Sequence, residues 1–155
     1  MLGMIKASSF KSRRQELENI IEVLQLMDIE ITYRREPLFK TFCKTSSDRS
    51  CWFAKTLDIC GKELKNRKSL KEAWRISTMS LNEECPLDDD DKSILADLIS
   101  ALGKSDTEGQ KKLLESTVSK LKINLNKASV IEHNQGKMYT ALGTAAGIIT
   151  VILLF

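Results

Sequence analysis

Apolar residues recur at helical spacing through most of this chain. From Gln15 to Arg35, Leu17, Ile20, Ile21, Leu24, Met27 and Ile31 share one face, and Glu16, Glu18, Glu22 and Glu30 fall between them. This pattern predicts a long amphipathic helix ending before Pro37, whose ring disfavours helical geometry in the residue ahead of it. Pro37 then suits the first turn of a short helix through Phe42. Thr45 to Asp48 reads as a polar break, after which Phe53, Leu57, Cys60 and Leu64 predict a third helix to about Asn66. Ser69 with Glu72 forms a capping-box pattern that opens a fourth helix along Leu70, Ala73, Trp74, Ser77 and Leu81, ending near Ser80.

Pro86 and the run Asp88 to Asp91 place negative charge where a fifth helix begins, ahead of Ile94, Leu95, Leu98, Ile99 and Leu102. Calcium binding is the sharper alternative for that run, but the alternating ligands and glycine of an EF-hand loop are missing. Gly103 is expected as a left-handed cap, and Ser105 with Glu108 as a second capping box. The stripe Leu114, Val118, Leu121, Leu125 and Ala128 then alternates by four and three, predicting a last helix from Thr107 to Lys137 of roughly 46 Å. Gly136 offers it a place to bend. With four valines, two prolines and no alternating strand pattern, the expected fold class is all-α: an antiparallel bundle of about six helices.

Met138 to Phe155 changes the picture, because it carries no charge and stays apolar to Val151, Ile152, Leu153, Leu154 and Phe155. Eighteen residues of helix cover roughly 27 Å, close to the hydrocarbon thickness of a bilayer. Residues 138–155 are therefore expected as a C-terminal transmembrane helix. Gly143 and Gly147 form a small-xxx-small pair for packing against another helix in lipid. Lys120, Lys122, Lys127 and Lys137 precede the span, opposed by Glu132, so residues 14–137 are expected as a domain on the cytoplasmic side. Residues 1–13 are expected as an N-terminal arm. Met1 to Phe10 is too short to span, but Lys11, Arg13 and Arg14 behind it look like the cytoplasmic flank of a first membrane segment, of which the arm would be a remnant.

Length and charge leave room for one modest core and argue against a nucleic-acid surface. The chain has 155 residues and a formal net charge of +3, from 24 basic and 21 acidic residues dispersed along helices. Cys43, Cys51, Cys60 and Cys85 form no CxxC and lie far in sequence from His133, the one histidine, which favours reduced thiols over a zinc site or disulfide framework. No phosphate-binding loop, nucleophile–histidine motif or metal signature is present, so no catalysis, cofactor or small-molecule substrate is expected. His133, beside Glu132, reads as an exposed helix residue. Glu30 with Tyr33, and Asp106 with Gln110, are candidate pairs, first as capping or surface groups.

Several strings together resemble one family. They are Asp28-Ile29-Glu30-Ile31-Thr32-Tyr33, Glu36-Pro37-Leu38, Ala73-Trp74, Leu102-Gly103-Lys104-Ser105-Asp106 with Gln110-Lys111-Lys112, and Lys137-Met138-Tyr139 with Leu142-Gly143 and Gly147. In this order they resemble stage III sporulation protein AB. The resemblance implies a component of the transenvelope complex between mother cell and forespore, lying in the mother-cell membrane around the forespore. It also implies a helical domain similar to the F platform proteins of type II secretion, which couple a cytoplasmic secretion ATPase to membrane parts. The implied role is a scaffold without chemistry, with that ATPase and other membrane proteins as partners. Glu30, Tyr33, Asp106 and Gln110 are then the candidate partner contacts, and Gly143 and Gly147 the intramembrane ones. The chain departs from the pattern in offering only Met1 to Phe10 where a full first membrane helix is expected, and in having Ile99 for an expected glycine and Leu113 for an expected histidine. The alternative function is a tail-anchored helical adaptor unrelated to sporulation.

Overall fold

The computed structural model describes residues 2–104 and 106–154. Its helices are α1 (Leu2–Ile29), α2 (Leu38–Ser46), α3 (Trp52–Lys65), α4 (Leu70–Ser80), α5 (Asp89–Leu102) and α6 (Thr107–Leu154). A π-helical turn, Glu30–Arg34, closes α1, and a 3-10 turn, Asn82–Glu84, follows α4. Among the described residues there is no strand, and the all-α bundle expected from the apolar spacing is the fold.

The bundle is built on α1 and α6, which run antiparallel. Arg14 meets Glu132 at one end of the pair, and Leu24 and Asp28 lie beside Leu114, Val118 and Lys122 further along. Leu17, Ile20, Leu24 and Met27 of α1 share a fully buried core with Leu114, Leu121 and Ala128 of α6, as the stripe on each helix requires. Phe42, Phe53, Leu57 and Cys60 extend that core under α2 and α3, and Leu95, Leu98, Ile99 and Leu102 extend it under α5. Ile99 is buried and Leu113 packs on the core, so both substitutions in the family pattern fill apolar helix positions.

Helix α3 approaches α2 closely at Gly61. A Cβ there would stand 2.8 Å from Cys43 Sγ and 3.2 Å from the Phe39 carbonyl oxygen. Glycine is needed for this approach, not for backbone freedom.

Helix ends differ from the sequence reading in instructive ways. Helix α1 begins at Leu2, well ahead of the Gln15 start that the apolar spacing marks. Thr45 and Ser46, expected in a break, belong to α2, because their hydroxyls donate back to the Thr41 and Cys43 carbonyls and need no turn. Ser69 Oγ accepts from Glu72 N–H at 3.2 Å, but the Glu72 carboxylate turns to Arg75, which leaves the capping box half-made. Gly103 is right-handed (φ −79°) and not the expected left-handed cap. Its lack of a side chain serves packing, because a Cβ would meet Leu70 Cδ2 at 3.3 Å. The left-handed turns fall instead on Arg35, Asp48 and Arg67. Ser105 of the second expected capping box lies outside the described residues.

Helix α6 is continuous for 48 residues, about 72 Å, through Gly136 into the apolar segment. It is long and apolar enough to cross a membrane, and the apolar window is wholly uncovered by the rest of the chain. Ile152, Leu153 and Leu154 are each more than two-thirds exposed.

Candidate interaction surface

The orientation of α6 is fixed by a buried polar clasp. Asp91 is fully buried at the first turn of α5, where it completes a capping box: Asp88 Oδ1 accepts from Asp91 N–H at 2.9 Å and Asp91 Oδ2 accepts from Asp88 N–H at 3.3 Å. Its carboxylate also accepts two bonds from Arg13 of α1, and Oδ1 accepts from Asn124 Nδ2 of α6 at 2.7 Å. Asn124 Nδ2 reaches Asp90 Oδ2 as well, at 2.8 Å, and Arg13 lies 3.0 Å from Asp88. One carboxylate thus ties three helices. Burial pushes its pKa up, but the Arg13 and Asn124 hydrogen bonds outweigh burial and hold it below the ordinary aspartate value. The aspartate run does more than start a helix, and Arg13 is more than a membrane flank. Only the fold brings the two together, since 78 positions separate them.

A second carboxylate fixes α3. Cys51 at its N-cap makes no side-chain cap bond, and Glu16 of α1 supplies one instead, accepting from Phe53 N–H at 2.7 Å. Glu16 is buried, and desolvation raises its pKa despite this bond. Negative charge at a helix N-terminus is favourable, which explains how a glutamate comes to lie on the inward face of α1.

Thr107 begins α6 about 46 Å along the helix from Lys137. Against this end packs the π-helical turn, with Ile31 buried beneath it. Glu30 Oε2 accepts from Lys44 Nζ at 3.2 Å and lies 3.6 Å from Arg34. Tyr33 is 79% exposed, an unusual setting for a tyrosine on a regular bundle surface. Arg35 then closes the turn in the left-handed region (φ 52°). Wide turns of this kind are uncommon and concentrate at functional sites.

At the start of α6, Asp106 Oδ1 accepts from Gly109 N–H at 2.8 Å, capping the helix, and Gln110 Nε2 donates to the Leu102 carbonyl at 2.6 Å. The four residues singled out from sequence therefore sit on neighbouring elements at the end remote from the span. The two side-chain pairings do not form: Glu30 turns to Lys44 and Arg34, and Asp106 and Gln110 satisfy helix ends. The π turn itself has no signal in the periodicity beyond the Glu36-Pro37 stop.

At the opposite end, Gly143 and Gly147 lie one helical turn apart on the exposed span, and a Cβ at either would meet nothing within 4 Å. Both positions of the expected small-xxx-small pair are thus uncovered by the rest of the chain. His133 is exposed, as its surroundings suggested. The four cysteines are unpaired, and burial pushes the Cys60 thiol up to about 12, which makes it a packing group. No group of three or more His, Cys, Asp or Glu side chains among the described residues is arranged to hold a metal.

Comparison with known proteins agrees with the motifs. The family model for stage III sporulation protein AB matches residues 1–155. A solved structure of a stage III sporulation protein AB is similar in fold, with a TM-score of 0.72 at 19% identity, over 79% of this chain and 98% of that one. No curated protein matches the chain.

Proposed function

The chain belongs to the stage III sporulation protein AB family, and from that premise we propose that it is a non-enzymatic, membrane-anchored scaffold of the mother cell–forespore channel. The membrane is the mother-cell membrane surrounding the forespore, and the helical domain faces the cytoplasm. In this reading the bundle couples a cytoplasmic secretion-type ATPase to membrane partners, in the manner of a secretion platform protein. The polar end carrying Glu30, Tyr33, Asp106 and Gln110 meets the ATPase, and Gly143 with Gly147 meets other spans of the complex.

The observation that carries this role is the continuity of α6. One helix supplies both the core stripe from Leu114 to Ala128 and the uncovered apolar segment, so the bundle is mounted stiffly on its anchor. A partner held at the π turn is held at a fixed distance from the bilayer. The lysines ahead of the span support the cytoplasmic side.

Co-purification from membranes with the ATPase encoded in the sporulation locus tests this, comparing the full chain with one cut before Met138. Binding by both forms is expected, and it would assign the ATPase contact to the bundle. Binding lost on truncation would shift the contact to the span. No binding by either folded form would overturn the coupling role in favour of an adaptor with other partners.

A further inference from the structure

Between α4 and α5 runs an apolar groove of about 630 Å³, distinct from the polar end and from the span. Trp52, Trp74, Leu95 and Ile99 line it, and Met79, two-thirds exposed, overhangs it. On α4 the lining residues recur from Lys71 through Trp74 and Arg75 to Thr78 and Met79, about two turns or roughly 12 Å, and Asn82 of the 3-10 turn extends the wall beyond them. Leu70 beside Gly103 shows that the start of α4 adjoins the end of α5, so the two walls run antiparallel.

Its charges are of one sign. Lys71 and Arg75 stand at one end and Lys92 at the other, and no aspartate or glutamate lines the groove. Arg75 shares its guanidinium with Glu72 on the exposed face of α4, whereas among the described residues Lys71 and Lys92 form no ion pair. An apolar floor with cations at both ends calls for an occupant that is apolar in the middle and acidic at both ends. A single-headed amphiphile satisfies one end only, and a helix of two to three turns satisfies both. We propose that this groove binds an acidic amphipathic helix of a partner protein, its apolar face on the two tryptophans and its carboxylates on Lys71, Arg75 and Lys92. The groove is separate from the polar end, so this docking stands or falls independently of the ATPase contact.

Trp52 and Trp74 are the chain's two tryptophans, so its intrinsic fluorescence reports the groove. The full chain in phosphatidylcholine nanodiscs is titrated with a helical peptide of about 15 residues, with leucines on one face and glutamates at both ends, and with a counterpart carrying lysines in their place. A saturable emission change with the glutamate peptide is expected, weakening with salt and absent with the lysine peptide. The K71E/K92E double variant, folded by circular dichroism, is expected to weaken the glutamate peptide by about fivefold or more and to accept the lysine peptide. No response to the glutamate peptide, or equal responses to both peptides, would overturn the proposal. So would saturation by dodecanoate with none by the peptide.

Discussion

Arg13 and Asp91 meet through two hydrogen bonds, Nε to Oδ2 at 2.8 Å and Nη2 to Oδ1 at 3.2 Å, across 78 positions of sequence. Asn124 completes the site from the third helix. A fully buried carboxylate cannot be left without its cation cheaply, because water does not replace the lost partner. Arg13→Ala is expected to destabilise by about 3–5 kcal/mol, and Asn124→Ala, which removes one neutral donor, by about 1–3 kcal/mol. Urea unfolding of each variant checks the order, and the Arg13→Ala/Asn124→Ala pair should be non-additive because both act on one carboxylate.

The two buried carboxylates have opposite pH signatures. Asp91 is held below its ordinary value of 3.8, since Arg13 and Asn124 outweigh its burial, so its contribution is complete above that pH and lost as pH falls through the lower folded value. Glu16 is raised above its ordinary value of 4.5 by desolvation, so the folded state takes up its proton first. Its contribution is complete below 4.5 and lost as pH rises through the higher folded value. Acidification from neutrality is therefore expected to strengthen the fold slightly before it weakens it. Unfolding midpoints measured from pH 7 to 3 should lose the initial rise in Glu16→Gln and the final fall in Asp91→Asn.

The end of α3 predicts a gain. Arg67 N–H donates to the Leu64 carbonyl and Lys68 N–H to the Glu63 carbonyl, closing the helix with Arg67 in the left-handed region at φ 68°. A side chain there costs about 1–2 kcal/mol that glycine avoids, and Arg67 is exposed. Arg67→Gly is expected to stabilise by about 1 kcal/mol, after the greater freedom of glycine in the unfolded chain is deducted. An unchanged or lower thermal midpoint would show that the turn is not strained.

What the sequence disclosed, and what it hid, follows from the range of each interaction. The stripes on α1 and α6 were legible because burial repeats with the helical period, and α2 to α5 were found within a few residues of their ends. The local cap at Ser69 was legible because donor and acceptor lie three positions apart, whereas in the Asp88–Asp91 run only the helix-start charge was legible and not the capping box. Glu16 on Phe53 and Arg13 on Asp91 were not, because their spacing carries no periodicity. Gly103 misled, since glycine after a helix usually marks a left-handed turn, and here it serves contact with Leu70. Tyr33 and Glu30 were singled out from the family strings, but the π turn that displays them follows from backbone geometry that no residue count reveals.

Tyr33 separates partner binding from folding. At 79% exposure its ring contributes little to the core, so Tyr33→Ala is expected to change stability by no more than about 0.5 kcal/mol. In the proposed role, a ring held out by a π-helical turn beside the Glu30–Lys44 pair would serve as the contact anchor, because aromatic side chains supply large contact area at low entropic loss. The variant should therefore fold and enter membranes like the parent, yet pull down the sporulation ATPase about tenfold less well, a difference of roughly 1.4 kcal/mol. Met79→Ala, also exposed but on the separate groove, serves as the comparison and should leave that binding intact. Undiminished pull-down by Tyr33→Ala would move the ATPase contact away from the π turn.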